Sequence, residues 1–232
     1  MEASQQIKKK ATGITVRLLT TVILFIMLLL LFYFLADEIV LERNNKFDLY
    51  IFQELSDITS PPVTKLMLFI TFLGSNDFLL PAYSFLVLFF IFVRKNIKLA
   101  LDAIMVGLTS MGLLFSVKDI FKRTRPLDPL IKNVTGYSFP SGHSFSAFTF
   151  CGLVIYIIWR TNIPLVWKWI LGIFFFLLAT SIATSRVYLH VHYASDALGG
   201  FCLSVMWLII SLLILHKIDK KFFTGERNSL AA

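Results

Sequence analysis

Along the chain, apolar residues come in long blocks separated by short polar ones. The first block runs from about Val16 to Ala36, after a polar stretch carrying Lys8, Lys9 and Lys10. At about 20 residues it matches the helix length that crosses the hydrocarbon of a bilayer, and it exceeds the roughly 7–15 residues of a signal-peptide core. Its end, Phe-Leu-Ala-Asp-Glu, offers no small-x-small cleavage site, so an uncleaved first transmembrane helix is expected. Five more blocks, about 78–93, 99–117, 144–159, 169–184 and 197–215, predict five further spans, the second with Pro81 tolerated in its first turn.

Between the first two spans the pattern changes. In 37–76, Asp37, Glu38, Glu42, Asp48, Glu54 and Asp57 outnumber Arg43, Lys46 and Lys65. Phe47, Tyr50, Ile51, Glu54 and Leu55 fall at the spacing of an amphipathic helix, which Ser60-Pro61-Pro62 ends. Val63 to Leu73 is apolar but too short to span, and predicts a helix lying in the interface or leaning on the bundle. The expected fold is an all-α polytopic membrane protein with six transmembrane helices and short interfacial helices in the first outer loop. No period of 20–50 residues repeats and no linker divides the chain, so residues 1–232 are read as one domain.

Composition agrees. The chain is 57% hydrophobic and only 16% charged, against about 25% charged in an ordinary soluble domain, which excludes a soluble helical protein. Cys151 and Cys202 both lie in apolar blocks and supply neither a disulfide framework nor zinc spacing. The net charge of +8 is not gathered into a basic tract interleaved with aromatics, which argues against a nucleic-acid partner. It is a matter of topology instead. Six spans place the N-terminal tail, 94–98, 160–168 and a tail with His216, Lys217, Lys220, Lys221 and Arg227 on one side. All are basic, so this side, with both termini, is expected to be cytoplasmic. One segment breaks the rule. Lys118, Lys122, Arg123, Arg125 and Lys132 fall on the other side, beside 37–76 and 185–196. An anionic ligand is the explanation that topology does not provide.

Three polar clusters at the rims of spans suit that ligand. Pro140-Ser141-Gly142-His143 precedes the fourth span. The first N–H groups of a helix lack intrahelical partners and carry partial positive charge, and Gly142 lets a ligand approach them. Ser141 and those N–H groups can hold phosphate oxygens; the plain alternative is an N-cap. His192 and Asp196 are four apart, which on a helix puts them on one face. A carboxylate on one imidazole nitrogen fixes the tautomer and leaves the other nitrogen as nucleophile or base. Arg186 adds a guanidinium matched to two phosphate oxygens. Lys118 and Arg125, seven apart, share a face if that segment is helical, before Arg125-Pro126 turns the chain. Lys122 and Arg123 are given no catalytic role, at least one of them facing headgroups, and His190 is read as an interfacial neighbour. The chemistry that assembles is phosphoryl transfer. Lys118, Arg125, Ser141, Gly142 and Arg186 surround the phosphoryl group; His192 attacks phosphorus; Asp196 steadies the imidazolium; His143 protonates the leaving oxygen and then activates water. With three cationic side chains and no carboxylate cluster for magnesium, no metal and no cofactor are expected.

Lys118-x6-Arg125-Pro126, Pro140-Ser141-Gly142-His143 and Ser185-Arg186-x5-His192-x3-Asp196 resemble the tripartite pattern of the type-2 phosphatidic acid phosphatase superfamily, with every fixed position present and in order. The resemblance extends to the six-span layout. It implies a six-helix core, phosphohistidine chemistry and the residue roles above. Within the family it points to the bacterial phosphatidylglycerophosphatase branch, also associated with undecaprenyl pyrophosphate. The implied partner is then a phospholipid or polyprenyl pyrophosphate in the bilayer, met on the extracytoplasmic face. Two other readings stay open at this point: a lipid phosphotransferase on the same fold, and a non-catalytic transporter. The second sits poorly with charges gathered at one rim and not at the bilayer midplane.

Overall fold

The computed structural model describes residues 2–41, 44–132 and 134–222. Glu42, Arg43 and Arg227 lie outside them, as do the side chains of Lys8, Lys9, Lys10, Glu38, Lys220 and Lys221. The described residues form eight α-helices and no strand: α1 (Glu2–Phe34), α2 (Lys46–Ser56), α3 (Pro61–Phe72), α4 (Asn76–Leu88), α5 (Ile97–Phe121), α6 (Gly142–Trp159), α7 (Leu165–Tyr188) and α8 (Ala194–Phe222). Helix α1 continues into a π-helical stretch, Leu35–Leu41, and α4 into another, Phe89–Val93.

Six of these helices are long and apolar enough to cross a membrane, over Leu18–Asp37, Asn76–Val93, Ile97–Phe121, Gly142–Trp159, Leu165–Tyr188 and Ala194–Lys217. The protein is therefore a multi-pass membrane protein. Large apolar side chains such as Phe85, Phe92, Leu108 and Val166 point outward, as they must where the surrounding solvent is lipid. The helices outrun the apolar blocks at one end of the bundle. Helix α5 carries on to Phe121, α7 to Tyr188, and α8 begins at Ala194. The polar residues there find partners that keep the helices wound: Lys118 Nζ donates to the Tyr137 carbonyl at 2.6 Å, and Arg186 Nη1 donates to Thr71 Oγ1 at 2.8 Å. With α4 starting at Asn76, Pro81 falls in the second turn, not the first as expected.

Helices α6 and α8 form the centre. Association between spans is driven by close packing and not by a hydrophobic gradient, so small residues gather where backbones approach. Ala147, Cys151 and Ser144 on α6, and Ser204 and Cys202 on α8, are buried. At Gly200 a Cβ would stand 2.9 Å from the Ser141 carbonyl oxygen and 3.1 Å from the Phe145 nitrogen, so only glycine lets α8 lie this close to the start of α6. Helix α2 lies against α8 and α7, and α3 leans on α7, as the short apolar run between the first two spans suggested.

Candidate active site

The ends of α5 and α7 and the starts of α6 and α8 meet at one end of the bundle, joined by the loops 122–141 and 189–193. Helix α5 closes on Lys122, whose φ of +46° is left-handed and whose N–H returns to the Lys118 carbonyl at 3.0 Å. The chain then leaves the helix, so Lys118 and Arg125 are not brought together by helical periodicity. Lys118 sits on the last turn of α5. Arg125 sits in the loop, held by the carbonyls of Gly136 (2.9 Å), Thr135 (2.9 Å) and Val191 (2.8 Å).

His192 likewise precedes α8, so the helical spacing read between it and Asp196 is not what pairs them. The turn 189–193 does. In it His190 takes a positive φ of +53°, and the N–H groups of Val191 and His192 reach back to the Arg186 carbonyl at 3.2 and 3.3 Å. His192 Nδ1 lies 3.5 Å from Asp196 Oδ2, and Ser138 Oγ bridges them, donating to Asp196 and lying 3.4 Å from Nδ1. On the other edge of the ring, Arg125 Nη1 is 3.1 Å from His192 Nε2. A guanidinium can only donate, so Nε2 presents its lone pair and the proton sits on Nδ1 toward the carboxylate. Burial holds the His192 pKa down at about 4, against the opposing pull of Asp196, which keeps the ring neutral at neutral pH. Burial also lowers that of Arg125, with Asp196 opposing, and leaves it a cation.

His143 stands in the first turn of α6, its Cδ2 packed 3.4 Å from where a side chain on Gly74 would begin. It lies within electrostatic reach of Arg186, His192, Arg125 and Lys118, so the structure brings these five groups together. Arg186 is 5% exposed, fixed by Thr71 at one nitrogen, with Nε unpartnered among the described residues. A side chain begun at Gly142 would touch Leu114 Cδ2 at 3.5 Å and Lys118 Cε at 3.8 Å, so the glycine lies directly beside Lys118. Ser141 is fully buried and is the N-cap of α6. Its Oγ accepts from Ser144 N (3.4 Å) and Ser144 Oγ (2.9 Å), and its N–H donates to the Asp196 carbonyl (2.9 Å). The cap thus uses the acceptor side of its hydroxyl and leaves the O–H as a donor.

Several residues of the site were not anticipated. Arg123 is buried and does not face headgroups. One nitrogen donates to Asp196 Oδ1 (2.7 Å) and Ser195 Oγ (2.7 Å), the other to Asp48 Oδ2 (2.8 Å) and Asn45 Oδ1 (3.1 Å). Burial alone would lower its pKa, but Asp196 and Asp48 outweigh burial and raise it. Asp48, on α2, also accepts from Ser195 N at 2.9 Å and Ser195 Oγ at 2.7 Å. Tyr193 covers the Arg123 guanidinium, 4.0 Å from its ring centroid. Lys122 does face outward, 3.7 Å from Asp119. His190 packs against Phe52 with ring centroids 4.7 Å apart and planes tilted by 42°, its Nε2 unpartnered among the described residues. The acidic character of 37–76 was the one available signal for Asp48; nothing local marks Arg123, Ser138 or Thr71.

Six spans with a histidine, a buried carboxylate and three cations converging at one rim define a membrane protein with a cationic site beside a neutral imidazole. The chain belongs to the PAP2 superfamily, whose family model matches residues 99–220 and so contains all three polar clusters. It is 31% identical to phosphatidylglycerophosphatase B of Bacillus subtilis (strain 168) over 151 residues, 64% of this chain and 73% of that protein. It is 29% identical to the undecaprenyl-diphosphatase of Sulfolobus acidocaldarius over 176 residues, 75% of this chain and 81% of that one. Among solved structures, the transmembrane PAP2-type phosphatidylglycerolphosphate phosphatase from Bacillus subtilis superposes with a TM-score of 0.74 at 29% identity, covering 85% of this chain and 96% of that chain. Aquifex aeolicus LpxE superposes with a TM-score of 0.56 at 26% identity, over 71% and 93% of the two chains.

Proposed function

We propose that this protein is a lipid phosphatase that removes a phosphomonoester or pyrophosphate headgroup through a phosphohistidine. The observation that carries the reading is the pair of contacts on His192: Nδ1 faces Asp196 and Ser138, while Nε2 offers its lone pair into the group of cations. The Nε2 lone pair attacks phosphorus as the bond from phosphorus to the lipid oxygen breaks. His143 gives its proton to that oxygen. Water then attacks the phosphohistidine, His143 takes the proton of the water, and inorganic phosphate leaves. Lys118, Arg125, Arg186 and the N–H groups at Gly142 stabilise charge on the equatorial oxygens, the term that dominates phosphoryl transfer. Those cations do the work of a metal.

Two apolar clefts support a lipid as substrate. One, about 460 Å³, lies between α4 and α5 and reaches Ser146, one turn below His143. The other, about 400 Å³, runs beneath α2 along α7 and α8 to Ala194. Either lets a tail stay in the bilayer while its headgroup reaches the rim, which we assign to the extracytoplasmic face with both termini cytoplasmic. The named activities of the two sequence relatives favour phosphatidylglycerophosphate and undecaprenyl pyrophosphate as substrates, with phosphatidic acid third. Phosphate release from the three in defined micelles tests this. Turnover of at least one is expected, abolished in His192→Ala; equal release from that variant overturns the mechanism. Labelled substrate separates transfer to water from transfer to a second lipid.

A further inference from the structure

The opposite end of the bundle carries a third cavity, of about 510 Å³, between the α4–α5 and α6–α7 loops. Its floor is apolar: Phe89, Phe90, Leu99, Ile157 and Ile163. Its rim is not, since Arg94 and Arg160 line it together with Asn96, Thr161 and Asn162. Backbone irregularity builds this shape. The end of α4 loosens into the π-helical stretch Phe89–Val93, a distortion that recurs at functional sites. The loop then doubles back: Arg94 N–H donates to the Phe89 carbonyl (3.0 Å), Lys95 takes a φ of +49°, and Asn96 N–H donates to the Phe90 carbonyl (2.8 Å). Asn96 Oδ1 is engaged by Leu99 N–H, which leaves its amide NH2 as a donor.

Four observations say what would fill it. Arg160 is held in place, one nitrogen donating to the Tyr156 hydroxyl and its guanidinium 5.3 Å from that ring centroid. Arg94 is exposed and makes no ion pair among the described residues. The loops 94–96 and 160–164, with the adjoining starts of α5 and α7, carry Arg94, Lys95, Lys98, Arg160 and Lys168 against the single carboxylate of Asp102. Beside the cavity Trp159 and Trp169 pack edge to face at 5.2 Å, both exposed, and such aromatics mark the level of lipid headgroups. A basic cavity with an apolar floor at that level fits an anionic phospholipid, its phosphate between the arginines and its chains along α4 and α6. A zwitterionic headgroup would put its ammonium beside the two arginines of the rim. The positive-inside rule accounts for the sign of these loops, but not for two guanidiniums opening into one cavity.

We infer that this cavity is a second, non-catalytic site for the headgroup of an anionic phospholipid, on the face opposite the reaction. It does not depend on the catalytic reading. The test titrates the full chain in neutral detergent with dihexanoylphosphatidylglycerol, reading bound lipid by native mass spectrometry, in wild type and in Arg94→Gln/Arg160→Gln. The outer rim is the same in both proteins, so their difference reads the inner cavity alone. At about 5-fold per lost charge, the double variant binds about 25-fold more weakly. Arg94→Lys/Arg160→Lys, which keeps the charges, stays within about 5-fold of wild type. Dihexanoylphosphatidylcholine shows no such difference between variants, and phosphate release from micellar substrate by the double variant is unchanged. Equal affinity in wild type and the double variant overturns the inference, as does the same loss with phosphatidylcholine, or displacement by inorganic phosphate at matched concentration. A protein that hydrolyses no lipid phosphate yet shows the 25-fold difference would sink the proposed function and leave this site standing.

Discussion

Asp48→Asn probes a contact that no local pattern contains. Asp48 is fully buried, and its carboxylate receives Arg123 Nη2 at 2.8 Å, Ser195 N at 2.9 Å and Ser195 Oγ at 2.7 Å. The same guanidinium holds Asp196 at 2.7 Å, so one cation is shared by two buried anions. Asparagine keeps the shape, but it removes one charge and turns an amide NH2 toward donors. Breaking a buried pair from one side costs about 3–5 kcal/mol, a large share of a total stability on the order of 5–15 kcal/mol. The effect on catalysis travels through Asp196. A displacement of about 1 Å in an orienting group costs on the order of 100-fold, so kcat is expected to fall roughly 10- to 100-fold with KM nearly unchanged. Thermal unfolding in detergent reads the first effect and steady-state phosphate release the second. A double-mutant cycle separates positioning from plain destabilisation: in an Asp196→Asn background, where the carboxylate to be positioned is gone, Asp48→Asn should lower kcat no further. A full additional loss there would refute the idea that Asp48 acts through Arg123 on Asp196.

Thr71→Val removes the hydroxyl that receives Arg186 Nη1, and kcat/KM should fall about 10-fold, the worth of one hydrogen bond to a charged group; Thr71→Ser should restore it. Because burial holds His192 at about 4, the loss of kcat/KM from protonating the nucleophile should appear as pH falls through about 4 and not through about 6.5. A pH–rate profile in acid-stable detergent checks this. The sign for stability is the same: between those values the unfolded chain binds a proton that the folded chain refuses, so His192 costs stability progressively as pH falls from 6.5 toward 4. EDTA should leave turnover unchanged, since the charge on the phosphoryl group is met by Lys118, Arg125 and Arg186; a rate restored only by added magnesium would contradict that.

The six spans were legible because lipid imposes one requirement on every exposed residue. A block of about 20 apolar positions satisfies it without reference to the rest of the chain. What local reading missed is where the helices stop. The apolar blocks end before the helices do, since Lys118 and Arg186 are polar by composition yet are kept helical by Tyr137 and Thr71, which are distant in sequence. The same limit appears at His192 and Asp196. Their spacing fitted a shared helical face, while the contact is made by a turn whose N–H groups fall back on the Arg186 carbonyl and by Ser138 arriving from another loop.

The residues that touch phosphate in the proposed reaction were visible because phosphoryl chemistry draws on few residue types and the chain keeps them at span ends, where cations are otherwise costly. The residues that hold those groups still were not visible, for a physical reason. Asp48 and Thr71 come from α2 and α3, outside the 99–220 segment that the family model matches, and each reaches its partner only after the segment between the first two spans folds onto α7 and α8. A short amphipathic helix with an aspartate in its first turn reads as surface in any local pattern. It becomes part of the site because a buried arginine 75 residues away carries one charge between two carboxylates. The segment between the first two spans therefore serves the site as much as the membrane: α2 fixes the carboxylate behind His192, and α3 fixes the guanidinium of Arg186.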